Sequence, residues 1–164
     1  MNKLFIDRLI EELEIVTSTN VYVCTQKTIL KTLDDNGCRE KFPMICYEYT
    51  PDSNVEVDPS ESKFLNDSSH NGTWLVGCDD DNVVFLLCLK SKPGGVEIDT
   101  IEINSDMRGE KLGERIVCTI ETIAYDNLYT YISVSPFDTG AMNFWEHMEY
   151  VEDMRGNWTK SLIV

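Results

Sequence analysis

The run from Thr73 to Asp126 constrains this chain most. Three apolar segments, "TWLVGC", "VVFLLCLKS" and "VEIDTIEIN", are joined by the turn-forming tetrapeptides "DDDN" and "KPGG". Short turns between extended segments predict an antiparallel meander. The third segment runs straight into "INSDMRGEKLGERIV", where two glycines, an arginine and a lysine precede a helical pattern. Leu112, Ile116, Ile120 and Ile123 fall on one face of a helix predicted over 109–126. "YTYISVSP", "TGAMNFWEHM" and "WTKSLIV" then read as strand, short helix and closing strand. The expected class is α/β in the broad sense (α+β): a mixed, mostly antiparallel sheet flanked by helices.

The third strand carries an irregularity. Val96 and Ile98 are apolar at even positions, Ile101 and Ile103 at odd ones. A strand keeps one parity per face, so a switch at Thr100–Ile101 predicts an inserted residue, a β-bulge. The other reading is a strand covered on both faces with loose patterning.

The first half is less patterned. Phe5, Leu9, Leu13 and Val16, widened by Ile6 and Ile10, make residues 2–16 an amphipathic helix. "NVYVC" reads as a short strand and "QKTILKTLDDNG" as a second helix stopped at Gly37. "FPMICYEYT" looks extended. Residues 51–72, rich in Asp, Ser, Pro and Asn, read as a long, mobile acidic loop of the kind that often borders a binding site. The length of 164 residues suits one domain, 1–164, with N-terminal helices within 2–37 and a core at 73–164.

Fourteen basic and twenty-nine acidic side chains give 14 − 29 = −15. That charge repels nucleic acid and acidic membrane surfaces and draws cationic amines or basic proteins. Solubility alone is an equal explanation. The six cysteines form no CxxC pair, and several sit in apolar runs, so they read as buried reduced thiols. Two histidines, His70 and His147, lie far apart in sequence, and no metal site is expected. The opening "MNKLFIDRLIEEL" has charges through its apolar run, which fits neither a signal peptide nor a membrane span. The cytoplasm is the expected compartment.

The turn after Ile103 invites an anion. A helix start presents unpaired N–H groups and a partial positive charge, and glycine lets the backbone approach a ligand. Arg108 and Lys111 add formal charge. Ordinary turn chemistry accounts for such glycines as well. The wider pattern narrows the choice. "IEINSDMRGEKLGERIV" resembles the acyl-CoA-binding segment of the GNAT N-acetyltransferase superfamily, V-x-P-x-x-R-G-x-G-x-G. Ile103, Arg108, Gly109, Leu112 and Gly113 fall on that motif; Lys111 replaces a usual glycine and Ser105 a common proline. "VSPFDTGAMNFWEHMEY" resembles the family's V-x-x-x-N-x-x-A-x-x-L/F-Y-x-x-x-G-F, with Val134, Ala141 and Phe144 matching. There Asp138 replaces the asparagine, Trp145 the tyrosine and Tyr150 the phenylalanine.

The resemblance implies a GNAT-like sheet splayed at the bulge, acetyl-CoA as acyl donor and no metal. The acceptor would be an amine on a small cationic molecule or a basic protein, and a homodimer is compatible with such a domain. Ile101 and Ile103 would pair with the pantetheine amides. Arg108, Gly109, Glu110, Lys111, Leu112, Gly113 and Glu114 would cradle the pyrophosphate, with Asp138 in the place of the family's asparagine. Acyl transfer to a protonated amine needs a base. Glu97 and Asp99 lie opposite in parity to Val96 and Ile98, so either is a candidate; a solvated strand face is the plain alternative. Trp145 offers a hydrogen-bond donor but no acid, so the thiolate leaves as such or takes a proton from water or from a neighbour such as Ser135 or Tyr150. An acyltransferase and a non-catalytic binding protein of the same fold both remain open on these residues.

Overall fold

The fold comes from a computed structural model that describes residues 1–50, 53–56, 72–80 and 82–163. Its helices are α1 (Lys3–Thr17), α2 (Gln26–Asp35), α3 (Pro43–Cys46), α4 (Leu112–Asp126) and α5 (Thr139–His147). Its strands are β1 (Asn20–Cys24), β2 (Tyr47–Thr50), β3 (Ser53–Glu56), β4 (Thr73–Asp79), β5 (Asn82–Lys92), β6 (Gly95–Ile103), β7 (Tyr131–Val134), β8 (Val151–Glu152) and β9 (Trp158–Ser161). Two short 3-10 turns stand at Arg39–Lys41 and Ser105–Met107.

Seven strands form one sheet in the order β1-β4-β5-β6-β7-β9-β8, while β2 and β3 pair separately. All neighbours in the large sheet are antiparallel except β6 and β7, which run parallel. Apolar side chains on the two faces of the sheet form two cores. On one face Phe5, Leu9 and Leu13 of α1 pack with Ile116, Ile120 and Ile123 of α4 over Phe85, Leu87 and Leu89. On the other, Ile29 and Leu33 of α2, Phe42 and Ile45 cover Trp74, Val76, Leu86 and Cys88.

Local chemistry explains the long helices. Asn2 accepts from the Leu4 N–H at the start of α1. The apolar stripes read in the sequence are the faces buried here. Arg115 of α4 donates to the Val16 carbonyl at 2.8 Å and so finishes α1 from outside.

Four expectations change. "FPMIC" is not extended: Pro43–Cys46 makes a helical turn, with proline at its first position. Residues 53–56 of the expected loop are a strand paired with β2; the rest of that loop, apart from Gly72, lies outside the described residues. The helix expected from residue 109 begins at Leu112. Of the six cysteines, only Cys38, Cys46 and Cys88 are buried, and Cys118 is exposed. Burial pushes the Cys46 thiol up to about 12, which keeps it neutral and unreactive. Among the described residues no helix is long and apolar enough to cross a membrane, and no group of His, Cys, Asp and Glu is placed to hold a metal.

Candidate active site

The bulge is real and sits one residue earlier than the sequence parity placed it. Cys88 lies opposite Thr100 and Leu89 opposite Ile98, so Asp99 is the extra residue. Across it the apolar set changes parity: Val96, Ile98, Ile101 and Ile103 all turn toward the core under α1 and α4. Pairing with β7 covers Gly95 to Ile98 only. Beyond Asp99, β6 stays bonded to β5 through Ile103, while no described strand pairs with its other edge. Ile101 and Ile103 therefore lie on an edge that no described strand pairs, at the point where β6 and β7 part.

That edge leads into the turn. Asn104 ends the strand: its N–H donates to Val84 O at 2.9 Å, its side-chain amide donates to Val83 O at 2.8 Å, and its side-chain oxygen accepts from Asp106 N at 3.0 Å. A buried asparagine with all three partners fixes where the chain leaves the sheet. The exposed Arg108 folds back, its Nε donating to Ile103 O at 3.3 Å. Gly109 has φ +91 with open space around it. Lys111 has φ 59 and ψ 20, a left-handed conformation that glycine adopts without strain, and its side chain makes no cap for α4. The first helical bond is Arg115 N to Lys111 O at 3.0 Å, so the N–H groups of Leu112, Gly113 and Glu114 have no acceptor inside the helix. Leu112 is buried and anchors the turn, while Glu110 is exposed. A Cβ on Gly113 would meet the Phe144 ring at 3.5 Å, an ordinary contact, so alanine fits there. Glu114 is half-buried, 3.8 Å from Lys111 Nζ and 3.4 Å from His147 Nε2.

Glu97 and Asp99 are brought close together on the face that α2 and α3 cover. Glu97 pairs with Lys92 at 2.8 Å, and Asp99 bonds Lys90 and the Thr100 hydroxyl. Both carboxylates are mostly buried, and each is engaged by a lysine from β5. Asp138 stands apart from them as the N-cap of α5, accepting from Ala141 N at 2.7 Å. Trp145 is buried in the core, edge-on to Phe144 at 5.0 Å and to Tyr150 at 4.9 Å. Burial, reinforced by the Glu121 carboxylate, pushes the Tyr150 phenol well above its usual range and makes it a poor proton donor.

One group escaped the sequence reading. Glu102 is only 3% exposed, on the same face as Glu97. Its two oxygens accept from Met44 N at 2.8 Å and Ile45 N at 3.2 Å, and Arg108 Nη2 lies 3.8 Å from it. Burial pushes its carboxyl up to about 7, against the opposing pull of the two backbone N–H groups and Arg108. The signal was present: once the bulge is counted, Thr100 and Glu102 must share the face opposite Ile101 and Ile103.

Comparisons with known proteins bear on the family and the fold. The family model for the GNAT acetyltransferases matches residues 42–150. No curated protein matches the chain by sequence. Among solved structures, a GNAT acetyltransferase from Staphylococcus aureus Mu50 superposes with a TM-score of 0.58 at 12% identity, covering 88% of this chain and 99% of that one. The PaiA N-acetyltransferase from Thermoplasma acidophilum, solved with coenzyme A, gives 0.56 at 14% identity, covering 86% and 98%. A Drosophila melanogaster polyamine N-acetyltransferase gives 0.51 at 11%, covering 87% and 99%. At these identities the structures speak for the fold, and the family model speaks for membership. With two thirds of its length matched by the family model and its strands parting at a bulge above a glycine turn, this chain belongs to the GNAT family of acetyltransferases.

Proposed function

We propose that the protein moves an acetyl group from acetyl-CoA to a primary amine of a cationic acceptor, a small molecule or a protein side chain. The observation that carries this reading is the continuity of three features: the β6 edge beyond Asp99 that no described strand pairs, the turn with Arg108, and the uncapped start of α4. On this reading the backbone of Ile101 and Ile103 pairs with the pantetheine amides as an added strand would. The amides from Arg108 to Glu114 receive the pyrophosphate, with the Arg108 guanidinium and the Lys111 ammonium adding charge. Asp138 contributes by starting α5, which brings Phe144 against Gly113.

The reaction is an attack of the neutral amine nitrogen on the thioester carbonyl. A C–N bond forms, the C–S bond breaks, and the amine loses a proton. Glu97 or Asp99 accepts that proton, directly or through water, once its lysine partner gives way. The coenzyme thiolate takes a proton from water, since Trp145 has none to give. The net charge of −15 favours approach of a cationic acceptor. The polyamine-acetylating relative in Drosophila has this fold and points the same way. Six cysteines without a CxxC pair, three of them buried, suit a reducing compartment such as the cytoplasm.

Acetyl-CoA titration tests the reading. At 100 times its dissociation constant the ligand should stabilise the protein by ~2.7 kcal/mol. Arg108→Ala should weaken binding by ~1–3 kcal/mol, the scale of a charge-assisted hydrogen bond. Absence of binding by the parent protein, or an unchanged constant in Arg108→Ala, would refute it.

A further inference from the structure

Segment 39–46 is tied to the turn at two points. Lys41 Nζ lies 2.9 Å from Asp106 Oδ2, between two exposed side chains. The second tie is buried: the Glu102 carboxylate holds the Met44 and Ile45 amides and stands 3.8 Å from the Arg108 guanidinium. The same guanidinium is the one the proposed function assigns to the pyrophosphate. It faces two claimants for its charge. Its own position favours change, because Arg108 is exposed while Glu102 is fixed.

We propose that Glu102 is a positioning residue that couples the two sides of the cleft: the carboxylate that starts α3 also holds Arg108, and a bound acyl-CoA pyrophosphate draws that guanidinium away. The inference rests on the acyl-CoA reading of the turn. Its consequence follows from the surroundings of Glu102. Arg108 from the turn is its nearest cation. From α3 it faces the Cys46 thiol, which is neutral because burial and the Glu102 charge both push it up. Arg39 interacts with the Cys46 thiol and pairs with Asp34 at 3.6 Å. Lys41 is committed to Asp106. From β5 the cross-strand neighbour is the apolar Leu86. Arg108 is the cation that bears on the Glu102 charge.

When the guanidinium leaves, the charged form of Glu102 loses its counter-ion and its pKa rises further above 7. The carboxylate then takes up a proton as acyl-CoA binds. The sign follows from linkage: a step that takes up a proton is favoured at low pH, so affinity falls as pH rises from near 7 upward. The limit for one linked proton is about tenfold per pH unit. A protonated Glu102 accepts less strongly from one of the two backbone N–H groups of Met44 and Ile45, so α3 loosens when the donor site fills.

Calorimetric titration of acetyl-CoA in two buffers of different ionisation heat, at about pH 7.5, counts the protons taken up on binding. The parent protein should take up more protons than either Glu102→Gln or Arg108→Ala, and its affinity should fall more steeply with pH than theirs. The contribution of the coenzyme's own phosphates is common to all three and cancels in the comparison. A Glu102 role confined to holding α3 would leave proton uptake equal in all three proteins, and that result overturns the proposal while leaving acyl-CoA binding intact. If Glu102→Gln does not fold, the exposed Arg108→Ala variant carries the comparison alone. A parent protein that binds no acetyl-CoA overturns both this inference and the proposed function.

Discussion

The two faces of the sheet are held by helices of different origin. On one face α1 and α4, each 15 residues long, present continuous apolar stripes and cross-brace through Arg115 and Val16. On the other, α2 has 10 residues and α3 only 4, and α3 begins where a carboxylate from β6 receives its first amides. Helix formation has a costly nucleus, so a four-residue turn does not persist without outside support. The face that carries α1 and α4 is therefore coded locally. The face covered by α2 and α3 depends on the strand beneath it.

The largest effect that sharpens this contrast is catalytic. Glu97 and Asp99 sit under the short-helix face. Changing both to amides, Glu97→Gln with Asp99→Asn, should lower turnover by roughly 10²–10⁴-fold, the usual worth of a general base. Acetyl-CoA affinity should hardly move, because the amides keep size and lie away from the turn. Turnover measured against pH, with a responsive amine, reads this. Full turnover with an unaltered profile would mean that the two carboxylates serve only their cross-strand ion pairs with Lys92 and Lys90.

Next in size is a pair of core truncations. Ile120 of α4 and Ile45 of α3 are both buried, at 0% and 1% exposure. Ile120→Ala should cost about 2–5 kcal/mol of global stability, as large-to-small core changes do. Amide hydrogen exchange should then quicken throughout the sheet. Ile45→Ala should quicken exchange chiefly in residues 39–46, because that segment opens as its own unit. Equal loss of protection in α4 from the two variants would break the comparison.

The same contrast decides what the sequence could reveal. The stripes of α1 and α4, the meander and the turn are local patterns, and each was legible from spacing. The bulge was legible as a parity switch near Thr100; that Asp99 is the extra residue needed the pairing with β5. The helical turn at "PMIC" was not legible, since four residues carry no period and their cap lies 57 to 58 positions away in Glu102. Glu102 itself hid between two isoleucines in a strand already read as core. Asp138 illustrates a middle case: a motif position was visible, but its role as the start of α5 needed the backbone.

The smallest effect concerns Lys111, where family pattern and backbone geometry meet. A lysine at φ 59 and ψ 20 stands in the left-handed region, which costs an L-residue about 1–2 kcal/mol. Lys111→Gly relieves that strain, while the freer unfolded chain takes back about 0.4–1 kcal/mol. The loss of the Glu114 contact, 3.8 Å away and largely exposed, matters little. Removing a cation from a helix start adds a few tenths of a kcal/mol in favour of the variant. The net expectation is a gain of about 0.5–1 kcal/mol, read from the denaturant midpoint. Gly109→Ala supplies the opposite control: its Cβ would meet nothing, but at φ +91 the backbone itself resists, so that variant should lose stability. For acetyl-CoA, Lys111→Gly opens the cradle and forfeits an ammonium, and these oppose each other. Its change in affinity should therefore be smaller than that of Arg108→Ala. A larger loss would mean that the ammonium, more than the backbone amides, holds the pyrophosphate, and that this turn is less a matter of local backbone than the comparison of the two faces requires.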